Sequence, residues 1–134
     1  MEGAGQASPV RDTAAMIAGM SPRLDPQAWV FCSGIAPLRQ AIASFREDEG
    51  LSQILPLDTA AREGADIALP MARIVLEVHS ALDGTGLTAA VSGALAAAGI
   101  PCNMVSAFHH DHVFVPVADA QHAMTVLRGL QTST

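Results

Sequence analysis

Lysine and tyrosine are absent from this 134-residue chain, and its 7 basic residues are all arginines set against 13 acids, for a formal net charge of −6. That balance leaves no basic face for a phosphate backbone, so nucleic acid is not an expected partner. Aromatic residues make up only 4% of the chain, so a core has to be built from Ala, Val, Leu, Ile and Met. The only two cysteines, Cys32 and Cys102, cannot make a disulfide framework. Both stand in apolar runs and read as buried free thiols. No apolar run reaches the roughly 20 residues that a membrane helix needs. An acid, Glu2, stands where a secretion signal would be basic. The expectation is a cytoplasmic protein without a membrane partner. Half of the residues are apolar, enough for a core in one domain or two very small ones.

The first seventy residues give a coarse pattern. Residues 1–7 are small and polar and read as a frayed end. Ser8-Pro9 looks like a helix cap followed by a first-turn proline, with Val10, Ala14 and Ile17 at helical spacing up to Gly19. Residues 28–32 form an apolar run between Pro26 and Gly34, as in a buried strand. Residues 41–46 and 51–57 read as a hairpin around the acidic turn Glu47-Asp48-Glu49-Gly50. That turn reads as a solvated tip. A short helix capped by Asp58 or Thr59 runs to Arg62 and stops at Gly64.

The second half is more explicit. Residues 71–79 alternate as a strand with two different faces. The loop from Ser80 to Gly86 precedes a helical stripe of Leu87, Ala90, Val91, Ala94, Leu95 and Ala98, closed by Gly99. Residues 102–109 and 112–117 form a second hairpin, with His110-Asp111 as its two-residue loop. Ala120, Ala123, Met124, Leu127 and Leu130 stripe a final helix. This register puts Asn103, Val105, Ala107 and His109 on one face with His112 and Phe114, joined by Glu77 and His79. Val113, Val115 and Val117 face the helices with Met104 and Phe108. His79, His109, His112 and Asn103 thereby gather at one end of the sheet. The placement depends on register, because a one-residue slip sends every side chain to the opposite face.

The glycine loop lies at that same end. Gly84 and Gly86 leave backbone N–H groups open, and the helix starting at Leu87 presents a partial positive charge that suits a carboxylate. Asp83 or Glu77 could hold an ammonium group. The alternative is a ligand-free loop in which Thr85 caps the helix. For the histidines, three readings stand: hydrogen-bonded turn residues, a polar ligand pocket, or a metal site of His79, His109 and His112 oriented by Asp111. No serine stands in a nucleophile elbow, and neither cysteine has an electropositive neighbour. Nothing here implies a cofactor.

Four segments carry a resemblance: Glu77-Val-His79-Ser80, Gly86-Leu-Thr-Ala-Ala-Val91, Gly99-Ile-Pro-Cys-Asn103 and His110-Asp-His-Val-Phe-Val-Pro116. They resemble the small stand-alone bacterial ACT-domain proteins, which are similar to the tandem ACT regions of aspartokinases and cytosolic arginine sensors. Trp29-Val-Phe31 and Arg46-Glu-Asp-Glu-Gly-Leu51 extend the match, more loosely, into the first half. The resemblance implies an α+β, ferredoxin-like fold of βαββαβ type, with an antiparallel sheet and helices on one face. It implies non-catalytic binding of a free amino acid at an interface between ACT units. The last helix ends the chain without a fourth strand, so the strand near Trp29 fills that place or the two halves share one sheet.

The expected organisation is an N-terminal tail and short helix at 1–26, an ACT-like half at 27–70 and an ACT domain at 71–134. The expected site comprises Glu77, His79, Ser80, Asp83, Gly84, Thr85, Gly86, Leu87, Asn103 and His112. The expected partners are a small molecule and a second copy of the chain, meeting through Val105, Ala107 and Phe114. The competing readings are a ligand-independent dimerisation module and a metal-binding protein.

Overall fold

The computed structural model describes residues 8–133, so the expectation for residues 1–7 lies outside the described residues. In order, the elements are α1 (Thr13–Ala18), β1 (Pro22–Ser33), β2 (Ala43–Glu47), β3 (Gly50–Pro56), α2 (Leu57–Arg62), β4 (Met71–Leu76), α3 (Leu87–Ala97), β5 (Asn103–Ser106), β6 (Asp111–Pro116) and α4 (Ala120–Thr132). A single 3-10 turn, Val117–Asp119, leads into α4. The strands form one antiparallel sheet in the order β2-β3-β1-β4-β6-β5. The fold is the expected ferredoxin-like α+β type.

The two central strands, β1 and β4, are the first strands of the two halves. Each therefore occupies the fourth-strand place of the other half, with Trp29 opposite Met71 and Leu24 opposite Ile74. Among the described residues no strand follows α4.

Alternation decides which face each residue covers. Ala72, Ile74, Leu76, Val113 and Val115 meet α1, α3 and α4 in the main core, through Met16, Val91, Leu95, Met124 and Leu127. Full burial of each Val, Leu, Ile or Met side chain here contributes about 1.5–3 kcal/mol. On the same face, Val30 and Leu55 pack on Ala60 of α2. Trp29, Ile54, Met71 and Phe114 cluster on the opposite face, where Ala43 of β2 and Val105 of β5 both reach them. Since β2 and β5 are the two sheet edges, the sheet is curled around this cluster.

Several local expectations are corrected. Asp12, not Ser8, caps α1, its carboxylate accepting from the Ala15 amide at 2.9 Å. Strand β4 ends at Leu76 rather than His79, because the Glu77 amide turns to the Met20 carbonyl. The second hairpin has a four-residue loop, 107–110, since Ser106 pairs with Asp111. Phe108 and Val117 are 65% and 43% exposed and do not face the helices. Phe114 is buried within the curl, so Val105, Ala107 and Phe114 do not form an exposed apolar surface.

Candidate functional site

The glycine loop between β4 and α3 is held from outside by the N-terminal segment. Val10 donates to the His79 carbonyl and accepts from the Ala81 amide, both at 2.8 Å. Thr13 Oγ1 donates to the Thr85 carbonyl at 2.5 Å. Gly86 has φ +98°, and a Cβ there would lie 2.6 Å from Thr13 Cγ2. Only glycine fits, for both conformation and space.

Gly86 is also the N-cap of α3, with no side-chain cap. The amides of Gly86, Leu87 and Thr88 have no hydrogen-bond partner among the described residues. Open N–H groups at a helix N-terminus favour an anion. They border a hollow of about 160 Å³ lined also by Met16, Ser80, Ala81, Gly84, Ser106 and Asp111. The lining also carries Asp111, a buried carboxylate that accepts from Ser80 Oγ at 3.1 Å. The hollow thus has both N–H donors and a carboxylate among its lining residues.

Of the expected site residues, Ser80, Gly84, Gly86 and Leu87 come together around this hollow. Thr85 is beside it with its carbonyl taken by Thr13, and it does not cap α3. Both carboxylates expected to hold an ammonium are engaged elsewhere: Asp83 pairs with Arg11 at 3.2 Å and Glu77 with Arg23. Asn103 sits opposite Phe114, at the other end of β5 from Ser106, and lines a different hollow with Phe31 and Leu69. His79 lies in tilted ring contact with Phe108 and with His109, whose ring centroid is 5.4 Å away, in the loops outside the hollow's lining. His112 turns instead to Arg73 on the helix-free face. Among the described residues no group of three His, Cys, Asp or Glu side chains is placed to hold a metal ion. The trio His79, His109 and His112 is therefore not assembled.

The sequence pattern places Asp111 in the two-residue turn of the second hairpin. The longer loop makes it the first residue of β6, in phase with Val113 and Val115 and so directed to the helix side. That alternation, Asp111-Val113-Val115, is the signal that could have found it.

A second polar group was not foreseen. At the β-bulge between Leu24 and Ala28, Asp25 accepts from the Gln27 amide, Trp29 Nε1 and Arg73 Nε, at 2.9–3.0 Å. Burial raises the Asp25 pKa, but these hydrogen bonds and the Arg73 charge outweigh it and hold the carboxyl below its usual 3.8. Arg73 also lies over the Trp29 ring at 5.4 Å. Burial first, then the Arg73 charge, pushes His112 below 6.5. Burial likewise raises both cysteine thiols above 9.0, which keeps them unreactive.

The corresponding place in the first half is closed. No helix separates β1 from β2, so no helix N-terminus is offered. Gln53, 2% exposed, donates to the Ile35 and Ala36 carbonyls and accepts from the Leu38 amide. Its amide thus ties the connector between β1 and β2 to β3.

Comparison with known proteins agrees with this architecture. One sequence profile for the ACT domain matches residues 72–129 and a second matches 8–72. No curated protein matches the chain. A Vibrio cholerae protein of unknown function, described as a possible transport protein, is 36% identical with a TM-score of 0.76; the match covers 85% of this chain and 92% of that one. An Agobacterium tumefaciens protein is 22% identical with a TM-score of 0.59, over 78% of this chain and 82% of that one. The regulatory subunit of aspartate kinase from Thermus flavus is 12% identical with a TM-score of 0.55, over 84% and 96%. The last two share the fold alone. With both halves matched by the profile and one relative similar over most of its length, the chain belongs to the ACT-domain family.

Proposed function

We propose that the protein is a non-catalytic regulatory protein that binds a small free amino acid in the hollow between loop 80–86 and β6. The observation that carries this is the pairing of opposite chemistries across one small space. The ligand's carboxylate accepts from the open amides of Gly86, Leu87 and Thr88, and its ammonium donates to Asp111 beside Ser80. The size supports a small ligand, since a cavity of about 150 Å³ accommodates a molecule the size of benzene. No helix of the described residues is long and apolar enough to cross a membrane. The free thiols suit a reducing compartment, and we place the protein in the cytoplasm as a homodimer. The division into a half at 27–70 and an ACT domain at 71–134, after a tail at 1–26, is part of this reading.

The test is a thermal-shift screen of the twenty amino acids on the full chain, with and without zinc and with a chelator. A ligand that binds only the folded state raises the Tm. One chemical class should stabilise, and Asp111→Asn should weaken it by about tenfold or more through loss of a charge-assisted bond. Unchanged affinity in Asp111→Asn would refute the site. Self-association without a shift from any amino acid would favour the dimerisation module instead.

A further inference from the structure

The helix-free face holds a second hollow that the amino-acid reading does not use. Curling of the sheet brings edge strands β2 and β5 toward one another, with Ala43 and Val105 on the same apolar cluster. Between them opens a cleft of about 500 Å³ walled by Phe31, Phe45, Ile54 and Val105. Phe45 is 73% exposed on its rim. A volume of this size lies within the roughly 300–1,000 Å³ typical of small-molecule sites. Ala43, Ile54 and Val105 also line a smaller adjoining hollow that includes His112. One apolar trough therefore leads to one imidazole.

The state of that imidazole follows from its neighbour. Arg73 NH1 lies 3.2 Å from His112 Nδ1. An arginine only donates, so Nδ1 accepts and the neutral ring carries its proton on Nε2. That Nε2–H has no hydrogen-bond partner among the described residues. A partly buried donor at the end of an apolar trough calls for an acceptor.

We propose that this trough is a second ligand site, taking an apolar ring-bearing small molecule with a hydrogen-bond acceptor at one end. The ring system occupies the space between Phe31, Phe45, Ile54 and Val105. The acceptor receives the Nε2–H of His112. A featureless apolar groove would fit any apolar surface; concavity together with a terminal donor selects a small molecule with a matching head. The site is separate from the hollow at loop 80–86.

Fluorescence titration of the full chain with anilinonaphthalene sulfonate tests this, since the dye combines aromatic rings with an anionic acceptor. Saturable binding of one dye per chain is expected. Ala43→Trp and Val105→Trp, which fill the trough from opposite edges, should each weaken it by more than about tenfold, an easily resolved change. His112→Phe should weaken it by about fivefold, the worth of one hydrogen bond. Circular dichroism checks that the variants fold, and any amino-acid thermal shift should survive in them. Without any variant, naphthalene carboxylate should displace the dye about fivefold better than naphthalene. Non-saturable binding, indifference to both tryptophans, or equal displacement by the two competitors overturns the proposal. A wild-type dimer that both tryptophans split, with dye binding only after splitting, also overturns it and assigns the trough to a second copy.

Discussion

Replacing Gly86 with alanine probes the joint between α1 and the glycine loop. At φ +98° an L-residue costs about 1–2 kcal/mol. The new Cβ would lie 2.6 Å from Thr13 Cγ2 and 2.9 Å from Thr13 Oγ1, well inside van der Waals contact. Thr13 cannot swing away freely, because its hydroxyl holds the Thr85 carbonyl. Overpacking of this kind adds about 1–3 kcal/mol. The sum is about 2–5 kcal/mol, or a Tm lower by roughly 7–18 °C for a chain of this size. In a Thr13→Ala background the nearest remaining side-chain atom is Thr13 Cβ, at an ordinary 3.4 Å. There Gly86→Ala should cost only its conformational part, about 1–2 kcal/mol. A double-mutant cycle read by urea unfolding should therefore show a coupling of about 1–3 kcal/mol. Additivity within about 0.5 kcal/mol would mean that the two residues do not meet, and the reasoning would fail.

Other consequences can be measured separately. Asp25→Asn leaves Arg73 without its charge partner; since the two side chains keep 11% and 17% exposure, the loss should be about 2–3 kcal/mol, below that of a fully buried pair. Because the Asp25 pKa is lowered in the folded state, its contribution is present above pH 3.8 and lost as pH falls through the folded value; unfolding at stepped pH should show Asp25→Asn with a flatter acid limb. His112 is also lowered, so the folded state binds fewer protons than the unfolded one between its folded pKa and 6.5. Stability should rise with pH through that window and be complete above 6.5, and His112→Gln should remove the slope. Gln53→Ala removes the partner of three part-buried backbone groups and should cost about 1–2 kcal/mol, while any amino-acid thermal shift stays unchanged; loss of that shift would show that the first half shares the site.

Much of this fold was legible because periodicity reports burial directly. The apolar stripes of α3 and α4 do face the core, where Val91, Leu95, Ala123, Met124 and Leu127 are all buried. The hairpin of the second half is instructive. Its loop is four residues rather than two, so His112 faces Val105 and not His109. The register moved by an even number, which kept Asn103, Val105, His112 and Phe114 on one face but slid them along it. Face assignment therefore survived, while the expected meeting of histidines did not.

Other parts of the site had no signature local enough to read. Asp25-Pro26 looked like a boundary, yet the β-bulge there turns Asp25 toward Arg73, 48 residues away. Arg11 and Arg23 neutralise Asp83 and Glu77 through pairs that span 72 and 54 residues. Such pairs depend on which strands are neighbours.

The amino-acid order by itself determined where helices and strands lie, which residues are apolar enough to seek a core, and where glycine had to stand. These follow from local sterics and from hydrophobic period. Only the tertiary structure decided that β1 and β4 would complete one another's sheets, that Asp111 would line the same hollow as the first residues of α3, and that Gln53 would hold the 35–38 connector. Those outcomes depend on antiparallel register and sheet curl, in which a shift of a few residues costs little in local propensity but moves a carboxylate by several ångströms.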